Sequence, residues 1–240
     1  MANESPQILY QFIVNDFEDA WNSLASNPDA KGRGNFMFAK QAMTLLELAS
    51  RLCSSDISGK AMKALSDALH SIEPKYFTKL PGTCWDYSEF DLPFHTTKGH
   101  ELLWALFDMI RNGQAHQYQQ ILVELTDGKT WQVALSGAAF NSQLFHIPFA
   151  VGIPHLTYSV EKDGHIWIVI MSQILFLNFK SAIERSNLFS KGLNFPYLAR
   201  PRKSYSKPKT MKGPFYRFNS ADLEDCLKKG GHTKTVISTK

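Results

Sequence analysis

Cysteine is scarce in this 240-residue chain: Cys53, Cys84 and Cys226 are an odd number, far apart, with no Cys-x-x-Cys pair. That argues against a disulfide framework and a thiolate zinc site, and fits a reducing compartment. Long apolar runs are also missing. The longest, IWIVIMSQILFLNF from Ile166 to Phe179, falls short of the roughly 20 residues needed to span a bilayer and contains Ser172, Gln173 and Asn178. The amino terminus, MANESPQILYQF, lacks the basic start and apolar run of a secretory signal, so the expectation is a cytoplasmic protein with no membrane partner. No glycine-rich phosphate loop and no Gly-x-Ser-x-Gly elbow is present, which removes two common catalytic devices from consideration.

Apolar residues are plentiful: 44% of the chain is hydrophobic and 12% aromatic, ample for a real core. The formal net charge is +4, but its distribution is uneven. Between Arg200 and Gly213 the bases Arg200, Arg202, Lys203, Lys207, Lys209 and Lys212 occur without one acid, and without those six the +4 becomes −2. The body is near neutral and the positive charge is concentrated towards the carboxyl end.

Periodicity divides the chain. Ile8, Leu9, Phe12, Ile13, Phe17, Trp21 and Leu24 recur at helical spacing over Gln7 to Leu24, and Asn27-Pro28 closes the segment. Phe36, Phe38, Ala42, Met43, Leu45, Leu46, Ala49 and Leu52 trace a second helix ending near Cys53, with Ser54, Ser55 or Asp56 available to cap a third running to about Ile72. After the proline-marked link from Glu73 to Thr97, a fourth helix is expected from near Lys98 to beyond His116. ILVELTDGKTWQVAL and HLTYSVEKDGHIWIVI then each set Asp-Gly between β-branched or aromatic runs, a hairpin signal. Helices are expected at Ser172 to Asn187 and, short, at Ala221 to Lys229. The predicted fold is therefore mainly α: an antiparallel helical bundle over 1–125, a small antiparallel β-hairpin/α extension over 126–191, and a basic, largely flexible tail over 192–240.

The fourth helix carries an unusual polar stretch, FDMIRNGQAHQYQQ. Leu102, Leu103, Leu106, Phe107 and Ile110 supply its apolar stripe, while Asn112 and His116, four apart, share one face. Arg111 lies five residues before His116, about 140° around the axis, but its long arm can swing towards the imidazole. Tyr118, two turns after Arg111, projects on the arginine's side. These four side chains can converge on one small anion. Gly113, inside the helix, costs about 1 kcal/mol relative to alanine and signals a close approach to the backbone. The bland alternative pairs Arg111 with Asp108, leaves His116 as a half-buried histidine, and has Gly113 merely let two helices pack.

Arg111-Asn112-x3-His116-x-Tyr118 resembles the Arg-Asn-x3-His motif of the HEPN superfamily, with the histidine-x-tyrosine extension of its toxins paired with minimal nucleotidyltransferases. The resemblance covers about the first half of the chain and leaves out the hairpins and the basic segment. It implies a HEPN-like helical bundle, a homodimer with two motifs facing across the interface, and a metal-independent ribonuclease of toxin or stress/defence type with no cofactor. His116 would transfer the proton, since an unperturbed imidazole has a pKa of about 6.5. Arg111 would hold the phosphate through its planar fork, Asn112 would orient one of them, and Tyr118 would contact a nucleotide. A nucleotidyltransferase-type antitoxin is the implied partner, the matching tyrosine being its target. A scaffold without catalysis, binding a nucleotide or ordering a dimer, and an interaction protein with a coincidental motif are the alternatives.

HTTKGHELLW contains His95, His100 and Glu101, yet Trp104 stands where a zinc-protease helix needs its second histidine, so no metal is expected. His146, His155 and His165 sit beside Pro148, Pro154 and Gly164, surroundings that suit solvated side chains. Asp127-Gly128 and Asp163-Gly164 read as turns. In ARPRKSYSKPKTMKGPFYRF bases alternate with Tyr205, Phe215 and Tyr216, so Arg200, Arg202, Lys203, Lys207 and Lys209 are candidate RNA contacts. A solvated end is the plainer reading.

Overall fold

A computed structural model describes residues 5–25, 35–81, 101–107, 109–110, 123–136, 155–193 and 218–235. Helix α1 (Pro6–Ala25) buries Tyr10, Val14 and Phe17, the stripe a 3.6-residue repeat produces, and leaves Ile8 and Phe12 exposed on its other side. Helix α2 (Asn35–Cys53) is buried along Phe38, Ala42, Leu45, Leu46, Ala49 and Leu52. The N-cap of α3 (Lys60–Ile72) is Gly59 and not one of the residues expected to cap it, but the Asp56 carboxylate reaches the first turn: its Oδ2 accepts the Ala61 N–H at 2.7 Å and its Oδ1 the Ser58 N–H at 3.0 Å. A 3-10 turn (Pro74–Phe77) follows, and α4 (Leu102–Phe107) continues the apolar stripe into buried Met109 and Ile110.

The two Asp-Gly hairpins form as expected. β1 (Val123–Glu124) pairs antiparallel with β2 (Thr130–Ser136), and β3 (Thr157–Val160) with β4 (Ile166–Met171). Gly128 and Gly164 take φ of +76° and +88°, the left-handed backbone that such tight turns demand. β4 runs straight into α5 (Ser172–Ser186), which stops at Asn187 in a left-handed conformation before a second 3-10 turn (Leu188–Lys191). Helix α6 (Ser220–Lys229) closes the described order.

The architecture overturns the predicted antiparallel helical bundle with a small antiparallel hairpin extension. β2 and β4 pair in parallel, Trp131 opposite Ile166 through Ser136 opposite Met171, and weld the hairpins into one mixed sheet of order β1-β2-β4-β3. Helix α5, from beyond the expected bundle, packs against both α2 and α3, and α2 also meets β2. The reason lies in β4: Ile166, Ile168, Val169, Ile170 and Met171 are all buried, so this strand needs cover on both faces, and a free-standing hairpin cannot supply it. Phe17 of α1 stacks face to face on Phe176 of α5 at 3.7 Å and meets Phe38 of α2 edge-on at 5.0 Å, joining three helices in one core.

Parallel pairing has a further consequence, because the turns preceding β2 and β4 must fall at the same end of the sheet. There the Lys129 side chain lies over Gly164, where a Cβ would come within 2.5 Å of Lys129 Cδ. At this end Asn219 caps α6, its Oδ1 accepting the Asp222 N–H at 2.9 Å, and Asp127 reaches across to accept from Ser220 N–H at 3.2 Å and Ser220 Oγ–H at 2.6 Å. Among the described residues no helix is long and apolar enough to cross a membrane.

Candidate functional site

Arg111, Asn112, His116 and Tyr118 lie outside the described residues, as do Arg200, Arg202, Lys203, Lys207 and Lys209. What is described immediately before the motif is its anchor. Leu102, Leu103, Leu106, Phe107, Met109 and Ile110 are all buried, so the described chain up to Ile110 lies in the core.

The described residues hold a different polar cluster, a seam joining the first 3-10 turn, the approach to β3, α5 and the segment after α6. Met171 N–H donates to His155 Nδ1 at 3.1 Å, which fixes the neutral tautomer with its proton on Nε2. That N–H faces the Tyr76 hydroxyl oxygen at 3.0 Å, and Asn178 Nδ2–H donates to the same oxygen at 3.2 Å. The second histidine reads the opposite way. His232 Nδ1 lies 2.8 Å from the Leu156 carbonyl, which can only accept, so Nδ1 carries the proton and Nε2 accepts from the Thr78 hydroxyl at 2.8 Å.

Electrostatics match this geometry. Burial, helped by Lys75 and His232 nearby, pushes His155 down to about 3, and burial outweighs the Leu156 bond in lowering His232. Burial raises the Tyr76 phenol well above its ordinary range. A histidine so reluctant to protonate, with both nitrogens engaged, is a poor general base, and Tyr76 is equally far from a phenolate. The seam holds elements together and does not, as arranged, move protons near neutrality.

Neither histidine was legible as such. His155 reads as solvated beside Pro154, but its imidazole bonds Met171 and Tyr76, and the next residue, Leu156, is fully buried at φ +53°. His232 follows a basic segment that reads as a flexible end, and nothing in the local sequence marks it. His165 also departs from expectation: Nδ1 bonds the Thr130 hydroxyl across the parallel pair and its ring packs edge-on to Trp167 at 4.5 Å.

Other chemistry-bearing groups have structural surroundings. Burial raises the Glu101 carboxyl, opposed by Lys79, its partner in an isolated β-bridge. Among the described residues no three His, Cys, Asp or Glu side chains gather closely enough to hold a metal. Cys53 is buried and burial pushes its thiol up to about 12; Cys226 is likewise a free thiol. A groove of about 390 Å³ between α1 and α5 is lined by Phe17, Glu18, Trp21, Asn22 and Leu177, and offers apolar surface with a single carboxylate.

No protein-family model, no curated protein and no solved structure matches this chain, so the likeness of Arg111 to Tyr118 to the HEPN motif stands on those residues alone.

Proposed function

We propose that this protein binds RNA or nucleotide phosphate through Arg111, Asn112, His116 and Tyr118 and acts as a metal-independent endoribonuclease of toxin or stress/defence type. The observation that carries the reading is the composition of the segment leaving the buried Met109-Ile110 pair: a permanent planar cation, an amide, an imidazole and a phenol within eight residues. Cleavage through the ribose 2′-hydroxyl needs a proton carrier near neutrality and a cation for the phosphate, and His116 and Arg111 supply these. The reading includes a cytoplasmic homodimer, the basic residues Arg200, Arg202, Lys203, Lys207 and Lys209 as substrate contacts, and a nucleotidyltransferase-type antitoxin acting on Tyr118.

The mixed sheet favours a second reading, because a motif borrowed from helical bundles is here attached to a different architecture. In that reading the same residues bind a nucleotide or order a dimer without catalysis. Purified protein incubated with mixed RNA in chelator, beside Arg111→Ala and His116→Ala, separates the two. Cleavage abolished in both folded variants is the expected result. Nucleotide binding lost in the variants, with no cleavage by any form, selects the scaffold, and neither activity in the unaltered chain refutes both.

A further inference from the structure

The segment Phe218 to Thr235 is tied to the body along its described length. At its start, Thr126 N–H donates to the Phe218 carbonyl at 3.1 Å and Asp127 accepts from Ser220, both beside the turn into β2. Leu223 and Leu227 of α6 are fully buried. At its end, the Tyr158 N–H donates to the Thr233 carbonyl at 3.1 Å and the Thr235 N–H to the Tyr158 carbonyl at 2.7 Å, a parallel pairing on the outer edge of β3. β3 is the last strand of the sheet, so this stretch covers an edge that would otherwise present unpaired backbone groups. Between α6 and the edge pairing sits His232, bonded to Leu156 and Thr78.

We propose that Phe218 to Thr235 is a strap that protonation of His232 releases, baring the outer edge of β3. The closed geometry holds the neutral ring. Nδ1–H is committed to a carbonyl, and Nε2 is the acceptor for the Thr78 hydroxyl. A proton on Nε2 makes the Thr78 hydroxyl turn round to accept, and sets a charged ring in a site only 5% exposed, where burial is the main cost. Among the groups facing it, the backbone bonds of Leu156 and Lys75 favour the charged ring, the Lys75 ammonium opposes it, His155 from the approach to β3 is a neutral imidazole already bonded to Met171 and Tyr76, and burial outweighs the two favourable bonds. The nearby carboxylate on α6, Glu224, is engaged by Lys234 at 3.2 Å and is not among the groups acting on the ring. Once the strap lifts, His232 regains water and titrates as an ordinary histidine, near 6.5. The open form therefore takes up the proton first, and linkage favours opening as pH falls below that value. The inference is independent of the ribonuclease reading.

Native-state hydrogen exchange on the full chain between pH 7.5 and 5.0, corrected for intrinsic rates, tests it. Protection of residues 223–235 is expected to fall up to tenfold per pH unit below 6.5 while Leu45 to Leu52 of α2 loses less. In His232→Asn, whose amide can still donate to Leu156 but cannot titrate, that extra pH dependence disappears. Should this variant fail to dock, the His232 ring is followed by NMR in the unaltered chain, and it should stay neutral while protection begins to fall and become protonated only where the strap's own resonances move to undocked values. Equal pH dependence in α2 and the strap, persistence of the effect in a docked His232→Asn, or protonation of the ring with the strap's resonances still docked overturns the proposal.

Discussion

Gly230→Ala offers a test in which the sign alone decides. Gly230 ends α6 at φ −75° and ψ 1°, a conformation alanine adopts without strain. On backbone grounds the substitution should stabilise the fold by about 0.4–1 kcal/mol, since alanine has less freedom to lose from the unfolded chain. The packing says otherwise. A Cβ at 230 would lie 2.2 Å from Thr78 Oγ1, 2.6 Å from Cγ2 and 2.9 Å from Cβ. Thr78 cannot simply rotate away, because it is buried, β-branched, and bonded through Oγ1 to His232. Relief requires either a shift of the α6 end or loss of that bond, so overpacking of roughly 1–3 kcal/mol should outweigh the backbone gain. Urea denaturation of Gly230→Ala, Thr78→Ala and the double variant measures this. The glycine substitution should destabilise the parent and do so much less, or become stabilising, beside Thr78→Ala, which removes the two closest atoms. Stabilisation of the parent, or equal destabilisation in both backgrounds, refutes the close approach of α6 to Thr78.

Three other outcomes follow from the same packing. His155 has a folded pKa of about 3 against an unfolded value near 6.5, so the unfolded chain binds the extra proton between those limits: the stability it contributes is full above about 6.5 and declines as pH falls, by about 2 kcal/mol at pH 5. Comparing urea midpoints of the parent and His155→Gln at pH 7 and 5 checks this, and an unchanged pH slope in the variant contradicts it. Phe176→Ala, at the stack with Phe17, should cost about 3–5 kcal/mol, read by the same denaturation, and a change below about 1 kcal/mol would mean the ring is not where α1, α2 and α5 meet. Cys53, buried with its thiol raised to about 12, should resist iodoacetamide at pH 8 and react once urea unfolds the chain, with peptide mass spectrometry locating the label.

Local chemistry by itself determined the pieces. Apolar spacing defined α1 and α2, the polar Ser54-Ser55-Asp56 stretch separated α2 from α3, and each Asp-Gly pair forced its turn because only glycine reaches the required φ cheaply. The run from Ile166 to Met171 also held a sign that went unused: nearly continuous apolar residues mark a strand buried on both faces. For the candidate site, the sequence supplied residue types and spacing from Arg111 to Tyr118, and an anchoring stripe that is buried as expected. Only tertiary structure decided that β2 and β4 lie side by side in parallel, that α5 leaves β4 to pack on α2 and α3, and that His155 and His232 turn inward as neutral acceptors. The physical reason is range. Caps, turns and helical stripes are set by neighbours a few residues away, whereas a strand's partner and an imidazole's protonation depend on groups about thirty to one hundred and fifty residues distant, which no local pattern encodes.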